Sequence, residues 1–517
     1  MRRRAEGRTP GSGLRVRLLP VALAAALLSA GPAQPLRPDL AESQSAEPQG
    51  LSSLRRNLAR HFAEACLRKG RVGVRAFSLS TRRVLYDLRG GEIFIPASNV
   101  KVLATAAAFY FLKSNFKFKT DVYYTGPLAA GRLSGDLYLK GFGDPSLVSE
   151  ELWTLVRALK RQGLREVGGD LVVDDTYFDS ERFVPGTNGG HGLRPYQAPH
   201  GAASLNFNTL GLYVEPSPVV GKPPRAVADP DSPYIQMVNN AKTAGARGKS
   251  SLRVRRTSHT AGDLIILEGF LPAGSGPRLI WVNVTEPALY LGHTFRAFLK
   301  SEGISVRGPV RRAKTPPHAR ALAHHLSKPL SIILSDMNKW SNNFIAEQVL
   351  KTLGAEVLGA PGTRQKGINV IQRYMRRLGH APDAYVIADG AGLSRENRLS
   401  PAQIVSVLVD MHDDFRFRPE FVSSLAVMGV DGSVRKRLDG TSAEWKIRAK
   451  TGTLDGADAL SGYAVAADGD VIAFSILMNA GGCPHWKMRE LQDRISLEFV
   501  RLGRDAAARD KTRRQTR

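Results

Sequence analysis

The sequence predicts an α+β fold, an antiparallel sheet flanked by helices and interrupted by a long β-rich insert. Three observations lead there. Helix-like and strand-like segments are segregated along the 517 residues rather than alternating. Residues 113–324 carry short β-like runs between Gly, Pro and Asp clusters, and they separate two helix-bearing stretches, 51–112 and 325–500. The chain exceeds one domain in length and is 43% hydrophobic, enough to fill more than one core.

The elements follow in order. Residues 51–69 place Leu54, Leu58, Phe62 and Cys66 four apart, which predicts a helix. Residues 72–80 and 83–88 read as strands joined at Ser80-Thr81-Arg82. Pro96-Ala97-Ser98-Asn99-Val100-Lys101 opens an apolar helix running to about Leu112. Within the insert, 136–140, 170–174, 210–215, 252–256, 263–267 and 279–283 read as strands. Helices return at 329–336, 342–353, 367–378 and 401–411, with Asp389-Gly390-Ala391-Gly392 as a loop. Residues 445–450 predict a strand, 462–467 and 471–479 a hairpin about Asp468-Gly469, and 486–502 a last helix.

The formal charge is +26, concentrated partly at the ends: six Arg against one Glu in residues 1–17, and seven Lys/Arg against two Asp in 501–517. A basic surface suits an anionic polymer such as a cell wall. No basic stripe is interleaved with aromatics, so nucleic acid is not expected as a partner. Arg2, Arg3, Arg4, Arg15 and Arg17 precede an apolar run, residues 18–28, closed by Ser29, Ala30, Gly31 and Ala33. That pattern predicts a secretory signal peptide, 1–33, cleaved after Ala33 or, second, after Ala30. The run is shorter than the roughly 20 residues of a spanning helix. Residues 34–50 read as a linker and 501–517 as a basic, disordered tail. The expected location is the periplasm, the protein being soluble or peripherally attached to wall or membrane.

Ser98-x-x-Lys101 stands at a helix start, where an i, i+3 spacing places both side chains on one face. A serine hydroxyl becomes nucleophilic beside a base, and a lysine is that base once burial or a second cation lowers its pKa. Alone the pattern is weak: Ser114–Lys117 and Ser433–Lys436 share it, and an N-cap serine is the ordinary reading. Two further pieces join it. Ser341-Asn342-Asn343 opens a helix, and Lys450-Thr451-Gly452 ends a strand leading into a hairpin. Ser204-Leu205-Asn206 duplicates the second, but Lys-Thr-Gly occurs once. Ser-x-x-Lys, Ser-x-Asn and Lys-Thr-Gly in this order are the penicillin-binding protein and β-lactamase set.

On these motifs the chain resembles the class C low-molecular-mass penicillin-binding proteins, serine D-alanyl-D-alanine carboxypeptidases/endopeptidases of the S13 peptidase type. The resemblance spans about Leu51 to Phe499 and includes Gly141-Phe142-Gly143-Asp144-Pro145-Ser146-Leu147, Ser204–Thr209, Asp389–Asn397, Gly429–Ser433 and Ala449–Thr453. It implies a penicillin-binding/β-lactamase-like transpeptidase domain with the insert between its first and second motifs. It further implies peptidoglycan stem peptides as substrate, β-lactams as inhibitors and an acyl-enzyme on Ser98. Lys101 would be the general base, Ser341 the proton relay, Asn343 the orienting amide. Lys450, Thr451, Gly452 and Thr453 would bind substrate, with the N–H groups of Ser98 and Thr453 as oxyanion hole, and Arg395 matches a stem-peptide contact. A loop salt bridge is the alternative for Arg395. A β-lactamase or esterase on this fold, and a non-catalytic wall-binding or division factor, are the competing functions.

Two departures stand out. Asn342 replaces the Asp of Ser-Asp-Asn, and Pro185-Gly186-Thr187-Asn188-Gly189-Gly190-His191 has no acid where relatives reading a diaminopimelate side chain resemble one another in an Asp. No cofactor and no metal is expected, since adjacent His324 and His325 cannot share a helical face and no Cys/His ligand spacing appears. Asp144 reads as a turn residue. Cys66 and Cys483 are expected as two buried free thiols. The resemblance, which sets the first and last helices side by side, leaves a disulfide as the alternative.

Overall fold

The computed structural model describes residues 50–185, 192–259 and 262–503, all within one compact unit, Ala46–Arg517. The expected signal peptide, nearly all of the linker, most of the tail and the 186–191 part of the acid-free stretch lie outside the described residues.

The central sheet joins the two ends of the described chain. Helix α1 (Leu51–Phe62) leads into the hairpin β1 (Arg71–Ser78) and β2 (Val84–Leu88), followed by α2 (Val100–Leu112). After the insert come α3 (Asn343–Leu358), β3 (Ile447–Leu454), β4 (Ala457–Val465), β5 (Val471–Asn479) and α4 (His485–Arg501). The order is β2-β1-β5-β4-β3, with the short strand Ala426–Val427 at the β3 edge, and every pairing is antiparallel. β1 pairs with β5 along its whole length, Arg71 opposite Asn479 and Ser78 opposite Ile472.

Strand alternation with both faces covered explains why β5 is mostly apolar. Ile472, Phe474, Ile476 and Met478 pack with Leu54 and Leu58 of α1 and Leu491, Ile495 and Phe499 of α4. Ala473 and Leu477 face the other way, toward Leu103 and Phe109 of α2 and Ile345 and Val349 of α3. Every residue of α2 from Val100 to Phe109 is buried. A helix with no polar face is a core helix, and this one buries Lys101, one turn after Ser98 in the turn that leads into it.

The insert has its own hydrophobic cluster, drawn from Val122 to Ala323. Its five-stranded sheet ends with Arg320–Leu326 paired to Lys119–Tyr124, two residues past the expected boundary at 324. The insert also contains two helices absent from the strand-only expectation, Ser149–Arg161 and Pro287–Ser301. The first was readable: Leu152, Leu155, Val156 and Leu159 repeat at helical spacing and are buried, with Glu150 and Glu151 in the first turn.

Other boundaries also move. The first helix stops at Phe62, and Ala65–Leu67 form a separate 3-10 turn. β3 runs to Leu454, so Lys450-Thr451-Gly452 lies inside the strand, and β4 begins at Ala457 rather than 462. Among the described residues no helix is long and apolar enough to cross a membrane. The expectation of two free thiols is overturned. Cys66 and Cys483 form a disulfide, their Cα atoms 4.8 Å apart, because α1 and α4 pack on the same sheet face.

That bond closes a loop of 417 residues. Cys66→Ser is expected to lower stability by about 2–4 kcal/mol, read as a lower urea midpoint that dithiothreitol lowers no further. An unchanged midpoint would contradict a formed disulfide.

Candidate active site

Ser98 sits in the 3-10 turn Ala97–Asn99 that leads into α2, preceded by Ala97 at φ 46°. A left-handed alanine is a strained conformation that surrounding structure must hold. One turn on, Lys101 is 0% exposed. Its Nζ donates to Ser98 Oγ at 3.1 Å, to Asn343 Oδ1 at 2.9 Å and, in a shorter contact, to the Ala391 carbonyl. Ser98 Oγ in turn donates to the same carbonyl at 3.2 Å.

The second motif lies between helix Leu330–Lys339 and α3. Ser341 is left-handed at φ 57°, which breaks the helix there. Asn342 is the N-cap of α3, its side chain accepting from the Ile345 N–H at 3.0 Å. Asp and Asn cap equally well, so the departure from Ser-Asp-Asn keeps the local role. Asn343 then opens α3, aimed at Lys101.

The third motif is on β3. Lys450 is 0% exposed, and its Nζ donates to Ser341 Oγ at 2.8 Å and the Thr451 carbonyl at 2.7 Å. Thr451 and Ser433 hydroxyls pair at 2.8 Å, and Thr453 donates to Asp458 Oδ1 at 2.8 Å. A Cβ on Gly452 would lie 3.0 Å from the Ser98 nitrogen. Glycine lets the strand pass this near the helix start.

Ser98, Ser341, Asn343, Thr451, Gly452 and Thr453 line a cleft of about 700 Å³, with Lys101 and Lys450 beneath it. Arg395 is not among the lining residues; its guanidinium donates to the Asp455 carbonyl at 2.7 Å. Sequence reasoning missed Tyr196 and Arg489 on the cleft wall and two buried acids, Glu347 and Asp389, behind it. Glu347 had a readable signal, four residues after Asn343 on the same helical face. Tyr196 comes from the insert and has no local signature.

Burial pulls Lys101 down to about 7 from the ordinary lysine range, against the opposing pull of Asp389 and Glu347. Lys450 is held well below that range, by burial first and then by the Lys101 charge. Two buried ammonium groups this near disfavour each other, and Lys101 is the one on which two acids act. Among the described residues no cluster of His, Cys, Asp and Glu could hold a metal.

A helix-flanked antiparallel sheet carrying these three motifs around one cleft is the penicillin-binding, β-lactamase-like fold. The chain belongs to the D-Ala-D-Ala carboxypeptidase 3 (S13) family, whose profile matches residues 54–496. It is 34% identical over 461 residues to the D-alanyl-D-alanine carboxypeptidase of Actinomadura sp. (strain R39), covering 86% of this chain and 84% of that one. It is 27% identical over 412 residues to the D-alanyl-D-alanine carboxypeptidase DacB of Haemophilus influenzae, covering 79% and 85%. The crystal structure of penicillin binding protein 4 from Haemophilus influenzae superposes with a TM-score of 0.73 at 25% identity, over 86% of this chain and 98% of that one. The same protein in complex with a novel β-lactam gives 0.69 at 25% identity, over 87% and 98%.

Gly392 tests how tightly the site is packed. It is left-handed at φ 79°, and a Cβ would sit 2.0 Å from the Ala97 carbonyl and 2.9 Å from Ser98 Cα. Gly392→Ala is expected to cost about 1–2 kcal/mol for the backbone alone and to push the loop off Ser98. The measurement is a melting curve, with an unchanged melting temperature as the contrary result.

Proposed function

We propose that this protein is a serine D-alanyl-D-alanine carboxypeptidase/endopeptidase that cleaves peptidoglycan stem peptides through an acyl-enzyme on Ser98. The observation that carries the reading is the contact between Ser98 Oγ and a lysine amine sealed from water. Neutral Lys101 takes the Ser98 proton as Oγ attacks the carbonyl of the penultimate D-alanine. The oxyanion forms against the N–H groups of Ser98 and Thr453, donors of a kind worth about 3–4 kcal/mol each. Ser341 relays the proton to the departing amine, and the terminal D-alanine leaves. Water then attacks the ester with Lys101 again as base, restoring Ser98.

Asn343 orients Lys101 through its Oδ1. Lys450, Thr451 and Thr453 receive the substrate carboxylate beside Gly452, and that anion supplies the counter-charge that favours a cationic Lys450. Arg395 would have to leave the Asp455 carbonyl to reach a stem peptide. The catalytic unit is 51–112 with 325–500, and 113–324 the insert, a division supported by their separate hydrophobic clusters. Export to the periplasm through residues 1–33 belongs to the same reading, supported by a disulfide suited to an oxidising compartment.

Labelled penicillin is expected to acylate Ser98, with labelling abolished in Ser98→Ala; unchanged labelling in that variant would refute the assignment. Nitrocefin should give a burst and then a stall, whereas steady turnover marks a β-lactamase. On defined muropeptides, mass spectrometry reads loss of one alanine as carboxypeptidase action and cross-linked dimers falling to monomers as endopeptidase action. Because the neutral amine is the active form and Lys101 titrates at about 7, acylation should be slow in acid and rise with pH through about 7. A rate flat from pH 5 to 8 would contradict a lysine base.

A further inference from the structure

The mechanism leaves two buried acids without a task. Glu347 and Asp389 are both 0% exposed, directly behind Lys101. α3 presents Asn343, Glu347 and Lys351 at four-residue steps on one face. Asn343 accepts from Lys101 at 2.9 Å. Glu347 Oε1 accepts from the Gly390 N–H at 2.7 Å and the Ala391 N–H at 2.9 Å. The carbonyl of that same Ala391 accepts from both Ser98 Oγ and Lys101 Nζ. One residue of the loop is therefore gripped by Glu347 at its N–H and grips the nucleophile and base at its carbonyl.

We propose that Glu347 is a positioning residue: its carboxylate fixes the Ala391 carbonyl against Ser98 and Lys101, and its charge biases the proton on the Lys101 amine. The proposal rests on the Ser98–Lys101 reading above.

A neutral side chain could grip two N–H groups. Gln348, the next residue, is also 0% exposed and bonds Gly201 through both its oxygen and its nitrogen. An acid at 347 carries a burial cost that an amide avoids; Arg364, 3.6 Å from its Oε2, is its ion-pair partner, and the Glu347 charge also acts on Lys101. The other groups facing this cluster are identifiable. Asp389 accepts from Leu393 and Ser394 N–H groups at 3.3 and 2.5 Å and, in a shorter contact, from Gly392. Arg364 Nε lies 3.6 Å from Glu347 Oε2, while its guanidinium also holds Glu181 and, at 2.6 Å, the Phe183 carbonyl. Lys351 pairs with Asp179 at 2.6 Å, and His200 is kept neutral by burial and by Lys351, Arg364 and Arg182. Lys450 faces Lys101 from β3. Burial and Asp389 push Glu347 above the ordinary carboxylate range, while Arg364 and the Gly390 and Ala391 N–H groups pull it back.

The test is the pH profile of penicillin acylation at Ser98 in Glu347→Gln, which keeps an acceptor oxygen and removes the charge. An anion beside an ammonium raises its pKa, so its removal lowers the Lys101 value. The acid limb should move to lower pH by about one unit, with the binding constant for penicillin changed less than about twofold. Glu347→Ala, which also removes the acceptor, should slow acylation at least about tenfold at the plateau, and Gln should restore it. Should Gln not fold by circular dichroism, Glu347→Met is the second uncharged variant and should show the same shift. A profile superposable on that of the wild type, or full acylation in the Ala variant, overturns the proposal. Absence of wild-type labelling at Ser98 would instead sink the underlying reading.

Discussion

A fully buried lysine amine at the floor of an open cleft organises this molecule. Moving an ammonium out of water costs several kcal/mol even after relaxation, and Lys101 meets that cost inside α2, a helix buried from Val100 to Phe109. Two nearby carboxylates oppose the loss of its proton, and burial still outweighs them, leaving the amine at about 7. A fully charged lysine could not accept a proton from Ser98, and one held far lower would hold that proton too weakly to pass it on. On the proposed reading, the balance between desolvation and two buried acids is what lets Lys101 act on Ser98.

The surroundings divide the work of keeping that amine in place. α3 supplies Asn343 and Glu347 from one face, the 389–394 loop supplies the Ala391 carbonyl, and β3 brings Lys450 to Ser341 from the far side. Two non-glycine residues, Ala97 and Ser341, adopt left-handed conformations that have to be held, beside Gly392, which adopts one freely. Their clustering about one hydroxyl is the kind of local strain that functional sites retain. The insert is tied into the same region through Lys351 and Arg364, which reach Asp179, Glu181 and Phe183, and Tyr196 from the insert reaches the cleft wall.

Much of this was legible in the sequence, and what was not has a common cause. Ser98, Lys101, Ser341, Asn343 and Lys450 announce themselves because chemistry fixes both their type and their spacing from local helix or strand signals. The strands β1 and β5 are legible because both are rich in apolar residues over eight or nine positions bounded by turn residues. Glu347 carries only its spacing from Asn343, and Asp389 carries no local mark; their influence on Lys101 acts across more than 200 residues of chain. The Cys66–Cys483 bond depends on two helices meeting on one sheet face, a tertiary fact. Arg395 carries two readings, a stem-peptide contact and a loop salt bridge, and its side chain donates to the Asp455 carbonyl. Helix Ser149–Arg161 lies unassigned between two strand-like runs, although its leucines repeat at helical spacing.

The central claim can be measured without substrate. In protein labelled at lysine side-chain carbons, the resonance of Lys101, assigned by its loss in Lys101→Arg, can be followed by NMR from pH 5 to 11. The account requires a midpoint near 7, well separated from the exposed lysines. A midpoint above about 10, the ordinary range for this side chain, would mean that the amine stays protonated and cannot activate Ser98.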